Sequence, residues 1–158
     1  MKNGEDYPWL ISVSAGRWQL NGILSAKKAG LRVLALDGDV KAPGLMIADQ
    51  SAVVDIRNPD EVLHSVENSG ITPKGVISFV SEVGMPAAAS IRHRYGLRGP
   101  DSLLTEALTN KAIQRKLWTQ NDVPGPKWKL AHSIDEAEAV SREISYPMII
   151  KPTDSSGS

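Results

Sequence analysis

Short β-forming runs alternate with amphipathic segments along the first hundred residues, and that alternation leaves the chain few folds to choose from. Trp9 to Ala15 (Trp-Leu-Ile-Ser-Val-Ser-Ala) is rich in residues that suit a pleated, half-buried strand. Gly16-Arg17 then turns into a helical segment, Trp18 to Ala29. Leu20, Ile23 and Leu24 form its apolar stripe. Gly22, Ala26 and Ala29 form a small face able to approach a sheet. Gly30 suits the C′ position that ends a helix, and Leu31 to Leu36 reads as a second strand closed by Asp37-Gly38-Asp39. Strand, glycine turn, helix and strand within about 30 residues make a βαβ unit. Its strands are expected to be parallel and its crossover right-handed.

The pattern continues. Residues 40–50 read as loop with one helical turn, and Ala52 to Ile56 as a third strand. Asn58-Pro59-Asp60-Glu61 is a helix start, with Asn at the N-cap, Pro at N1 and Glu at N3. That helix runs to Asn68 and stops at Gly70. Gly75 to Ser81 is a fourth strand. Gly84 to Tyr95 is a helix with Ala87, Ala88, Ile91 and Tyr95 on one side, ended by Gly96. The expected class is α/β, a Rossmann-like parallel sheet with helices on both faces, in strand order 3-2-1-4 by analogy with mononucleotide-binding halves. After Gly99-Pro100 the texture changes. Asp101 to about Asn121 is helical with a break near Asn110, and Asp122 to Pro126 is a turn. Lys127 to Ala131 reads as a strand. Ser133-Ile134-Asp135-Glu136 is a capping box, opening a helix with Ile134, Ala137, Val140 and Ile144 inward. Tyr146 to Ile150 reads as a buried strand. A domain boundary is expected near residue 105, giving units 1–105 and 106–158. The second is too small to bury a good core alone.

Composition excludes several classes. Among 158 residues there is no cysteine, so disulfides, thiol nucleophiles and thiolate metal sites are out, and a reducing cytoplasm is the default location. Eighteen basic and eighteen acidic residues balance, without the basic clustering a nucleic-acid surface needs. No apolar run approaches the roughly 20 residues of a membrane span. Met1 to Asp6 lacks an apolar signal core. His64, His93 and His132 are isolated, so no metal site or catalytic triad is expected.

Four stretches can carry chemistry. A dinucleotide fingerprint is Gly-x-Gly-x-x-Gly, whereas Ser14 to Gln19 has one glycine in place. Gly16, Arg17 and Gln19 either cap a tight turn or offer an anion or carboxylate site. Asp37 stands where a ribose-binding acid would. Glu82 follows the fourth strand, at the sheet edge where open α/β folds bind ligands, and it also suits the N-terminus of the next helix. If a helix starts at Asn110, Lys111 falls in its first turn and opposes the macrodipole, which makes sense where it reaches for an anion. Lys151 ends the last apolar run and opens into Asp154-Ser155-Ser156-Gly157-Ser158, a loop of small residues whose backbone N–H groups can converge on phosphate.

Taken in order, Ala15-Gly16-Arg17-Trp18-Gln19, Ala42-Pro43-Gly44, Ala48-Asp49, Gly96-Leu97-Arg98-Gly99-Pro100, Thr109-Asn110-Lys111, Val123-Pro124-Gly125-Pro126 and Tyr146 to Pro152 resemble the N-terminal part of an ATP-grasp carboxylate ligase. The branch is that of biotin carboxylase, the carbamoyl phosphate synthetase large subunit and N5-carboxyaminoimidazole ribonucleotide synthetase. The resemblance implies a preATP-grasp domain over 1–105, then the opening of an α+β ATP-grasp domain over 106–158. It implies ATP as cofactor, held by Lys111, Lys151, Asp154, Ser155, Ser156, Gly157 and Ser158, with Mg²⁺ ligands beyond residue 158. It implies an acceptor site at Gly16, Arg17, Gln19 and Glu82. The implied reaction activates a carboxylate or bicarbonate as an acyl phosphate, which an amine or other nucleophile attacks, in an enzyme able to form a homodimer. The chain alone is then expected to be inactive. Two other readings stay open: a dinucleotide-binding module using Gly16 and Asp37, and a non-catalytic assembly module.

Overall fold

The computed structural model describes residues 7–154. Two compact units divide between Thr105 and Glu106.

The first unit is a four-stranded sheet in the order β3-β2-β1-β4, with every pair parallel. The strands are β1 (Trp9–Val13), β2 (Arg32–Asp37), β3 (Gln50–Val53) and β4 (Pro73–Ile77). This is the expected α/β class and strand order. Alternation along each strand sorts the side chains to two faces. Ile11, Val13, Leu34 and Leu36 join Val62, Val66, Ala87, Ala88 and Ile91 in one core. Those partners lie on α3 (Pro59–Asn68) and α4 (Met85–Tyr95). Val33 and Ala35 join Ile23, Ala26 and Leu45 in the other, under α1 (Leu20–Lys28) and α2 (Pro43–Ile47). Helices therefore cover both faces.

Local chemistry sets the ends. Asn58 caps α3 by accepting the Asp60 and Glu61 N–H groups. Gly30, Gly70 and Gly96 follow helices with φ of 80°, 69° and 62°, the left-handed conformation that closes a helix at least cost. Several boundaries differ from expectation. β3 begins at Gln50, two residues early, because Asp49 extends the β2 ladder: its N–H donates to the Val33 carbonyl and its carboxylate accepts the Val33 N–H at 2.9 Å. β4 ends at Ile77, so residues 78–84 form a turn. On α1, Leu24 is 45% exposed and the sheet takes Ile23 and Ala26 instead.

Asp49 also meets the Lys27 ammonium at 3.0 Å. Partial burial alone would raise its carboxyl pKa. The Val33 N–H, Lys27 and Arg32 outweigh that and hold it below the usual carboxylate value. A depressed folded pKa gives stability that is present above the unfolded value near 4 and lost as pH falls through the folded one. Asp49→Asn is therefore expected to flatten the acid limb of stability against pH below about pH 4. An unchanged limb in urea titrations would remove this role from Asp49.

The second unit begins within α5 (Ser102–Thr109) and continues as α6 (Lys111–Gln120) and α7 (Ile134–Ile144). α7 opens as expected: Ser133 Oγ accepts the Glu136 N–H at 3.1 Å, and the Glu136 carboxylate accepts the His132 N–H at 2.7 Å. Two expected strands are absent. Residues 127–131 and 146–150 pair with nothing among the described residues. Tyr146, Ile149 and Ile150 are each 81% exposed, and Ile134 is 79% exposed rather than inward. An apolar run becomes a buried strand only with a ladder neighbour and a covering face, and the described part of this unit supplies neither.

Candidate functional site

At the carboxyl edge of the first unit's sheet, β1 runs into Ser14 and Ala15, and Asp37 at the end of β2 anchors them. Its carboxylate accepts the Ala15 N–H at 2.6 Å and the Asp39 N–H at 2.9 Å, with Ser14 Oγ at 3.5 Å. Ser14 is held at φ 86° by this arrangement and by its own N–H, which donates to the Leu36 carbonyl at 2.8 Å. An anion already occupies the amide that a pyrophosphate would need, and both carboxylate oxygens are used. Asp37 is thus a structural anchor, which weighs against the dinucleotide reading.

Gly16 and Arg17 follow, half-buried and exposed respectively, leading a 3-10 turn over Arg17–Gln19. Trp18 is 77% exposed beside them. Gln19 is buried, and its amide donates to the Phe79 and Val80 carbonyls at 2.6 Å and 3.3 Å. Glu82 lies in the same turn after β4, exposed, with its carbonyl accepting the Met85 N–H at 3.0 Å. It stands five residues beyond the strand end instead of directly after it. The structure thus brings the Gly16–Gln19 turn against the turn that carries Glu82. A separate surface groove of about 530 Å³ follows β3 and α3 and contains none of these residues.

In the second unit the helix does break at Asn110. Its side chain accepts the Ala112 and Ile113 N–H groups at 3.0 Å and 3.2 Å, so α6 starts afresh and Lys111 is its first residue. Such a cap is worth about 1 kcal/mol. The Lys111 N–H donates to the Thr153 carbonyl at 2.8 Å, tying the head of α6 to the segment that carries Lys151 and Asp154. Lys151 and Asp154 are exposed. Ser155, Ser156, Gly157 and Ser158 lie outside the described residues. Among the described residues no group of three acidic or histidine side chains is placed to hold a metal ion, and no helix is long and apolar enough to cross a membrane.

Gln19 as a clasp was not legible beforehand, nor was Gly44, whose N–H donates to the Ala15 carbonyl at 2.7 Å and brings α2 close to the end of β1. Both act on backbone carbonyls 29 to 61 residues away in the chain, for which no local signal exists.

No family model matches the chain. A formate-dependent phosphoribosylglycinamide formyltransferase of Rhodococcus jostii is 26% identical over 136 residues, covering 85% of this chain and 33% of that protein. The chain is similar along most of its length to the N-terminal part of ATP-grasp ligases. It spans about a third of the length of the relatives it matches. Solved ATP-grasp structures share its fold. The L-amino acid ligase of Bacillus licheniformis has a TM-score of 0.78 at 18% identity, covering 94% of this chain and 38% of that one. The biotin carboxylase domain of Hydrogenobacter thermophilus 2-oxoglutarate carboxylase, solved with MgADP, ADP and bicarbonate, has a TM-score of 0.67 at 16% identity, covering 89% and 34%.

Proposed function

We propose that this chain forms the N-terminal portion of an ATP-dependent ligase that activates a carboxylate or bicarbonate as an acyl phosphate for attack by an amine or other nucleophile. Residues 1–105 serve as its preATP-grasp domain and 106–158 open its ATP-grasp domain. The observation that carries this reading is the hydrogen bond from the Lys111 N–H to the Thr153 carbonyl. It holds the lysine at the head of α6 beside the lysine segment that leads to the Ser/Gly loop. A lysine as the first residue of a helix works against the macrodipole, a cost that phosphate oxygens near its ammonium would offset. Lys111 and Lys151 neutralise phosphate charge, and the small residues from Asp154 to Ser158 offer backbone N–H groups to the transferred group. ATP supplies the phosphoryl group, and Mg²⁺ ligands come from elsewhere in the protein. Gly16, Arg17 and Glu82 face the acceptor. The exposed run through Ile149 and Ile150 fits the same reading. Each of these side chains gains about 2 kcal/mol once covered, and the remainder of a ligase of the relatives' length provides a cover. The reading places the enzyme in the cytoplasm, with small-molecule substrates and a homodimer as its assembly.

ATP–Mg²⁺ is expected to bind this chain weakly and without turnover. Lys111→Ala and Lys151→Ala are each expected to weaken that binding by about tenfold, the worth of one charge-assisted hydrogen bond. Calorimetric titration of the three proteins checks this. Thermal stabilisation by NAD(P) but not by ATP would sink the ligase reading in favour of a dinucleotide module.

A further inference from the structure

The turn between β4 and α4 contains Val80 at φ 52°. For a β-branched residue that conformation is an outlier, and it persists only where the surroundings impose it. A side chain from the opposite turn contacts it. Gln19 is 4% exposed, and its Nε2 donates to two consecutive carbonyls, Phe79 at 2.6 Å and Val80 at 3.3 Å. One amide group therefore fixes the direction of two neighbouring peptides. Its Oε1 is turned back toward Gly16, where an added Cβ would come within 3.1 Å of it. The rest of the turn is closed locally, by Ser78 Oγ donating to the Ser81 carbonyl at 2.6 Å and by the Met85 N–H on the Glu82 carbonyl. Behind it the space is tight: a Cβ on Gly84 would lie 2.7 Å from Ser78 Oγ and 2.9 Å from Val13 Cγ1. Neither of these local bonds reaches the Phe79 or Val80 carbonyl, and among the described side chains Gln19 alone hydrogen-bonds those two.

We infer that Gln19 is a positioning residue: by clasping the Phe79 and Val80 carbonyls it sets where Glu82 stands at the carboxyl edge of the sheet, instead of touching the acceptor itself. The functional weight of this rests on the reading of Glu82 as an acceptor-binding residue. The clasp is tested without any substrate, so the two can fail separately. Gln19→Glu keeps the shape but turns a carboxylate toward two carbonyl oxygens. Gln19→Met removes the donor without adding charge and covers the case in which Gln19→Glu fails to fold. Val80 then relaxes toward negative φ, and Ser81, the one residue between it and Glu82, passes that change on.

The chain has no cysteine, so Lys28→Cys with Val83→Cys gives a unique pair for nitroxide labels. Pulsed electron–electron resonance is expected to show one narrow distance distribution in the parent, and a shifted or broadened one in both Gln19 variants. Hydrogen exchange of residues 78–84 is expected to accelerate on the order of tenfold, from the loss of two hydrogen bonds, while the amides of Ile11, Val13, Leu34 and Leu36 keep their protection. An unchanged distance distribution with unchanged exchange would overturn the proposal. So would acceleration spread equally through the sheet, because Gln19 would then be a general packing residue.

Discussion

Gly44→Ala is expected to destabilise the first unit by about 3 kcal/mol, at the upper end of what overpacking costs. The residue donates its N–H to the Ala15 carbonyl at 2.7 Å, drawing the start of α2 onto the end of β1. A Cβ there would come within 2.5 Å of that carbonyl oxygen, 3.0 Å of the Ala15 Cα and 2.7 Å of Ile23 Cδ1. Two of the three obstacles are backbone, and that backbone is itself tied to Asp37. No rotamer change relieves the clash. Either α2 lifts away, losing the bond and uncovering Leu45, or the Ala15 turn shifts and takes Gly16 and Arg17 with it. Urea denaturation measures the loss directly, and in a unit of this size the melting temperature falls by roughly 12–24 °C. A loss below about 1 kcal/mol would mean the approach of α2 to β1 is looser than described.

Asp37→Ala is expected to cost about 2–3 kcal/mol, the worth of charge-assisted hydrogen bonds to amides that lose their acceptor. Ala15 is fully buried, so its N–H has no water to turn to. Asp37→Asn separates charge from geometry. The carboxylate accepts through both oxygens, from Ala15 and from Asp39, whereas an amide has one acceptor oxygen. Asn can therefore keep one of the two bonds, and its cost should fall to about half that of Ala. Equal stability of all three proteins would show that the turn stands without its anchor. NAD(P) affinity lost specifically in Asp37→Ala would restore the ribose-binding role that the geometry argues against.

The two substitutions also divide what was readable in advance from what was not. Two-sided packing could be read because it follows from alternation, and strand order by analogy with mononucleotide-binding halves. Ile11 and Val13 face one way and Val33 and Ala35 the other at any resolution of description. The break at Asn110 was readable as a capping residue before a helical pattern. Asp37 was visible as an acid at a strand end, but its partner was not. A ribose hydroxyl and a buried amide make the same demand of a carboxylate, and only distance decides between them. Gln19 stood among the acceptor-site candidates, and the structure shows it committed to two carbonyls of its own chain. The strands expected at 127–131 and 146–150 failed for a different reason. Their composition suits a sheet, but pairing is a property of two segments, and composition describes one.

Read alone, the chain determined a doubly wound parallel sheet, its helix caps and the spacing of the lysines at 111 and 151, because each of these is enforced by contacts a few residues long or by a period of two or 3.6. Tertiary structure decided which polar groups are free to meet a ligand and which are already bound. Asp37 and Gln19 are bound; Arg17, Glu82 and Lys151 are exposed. That division depends on which backbone donors and acceptors arrive from distant parts of the chain, and only the folded geometry puts them within 3 Å.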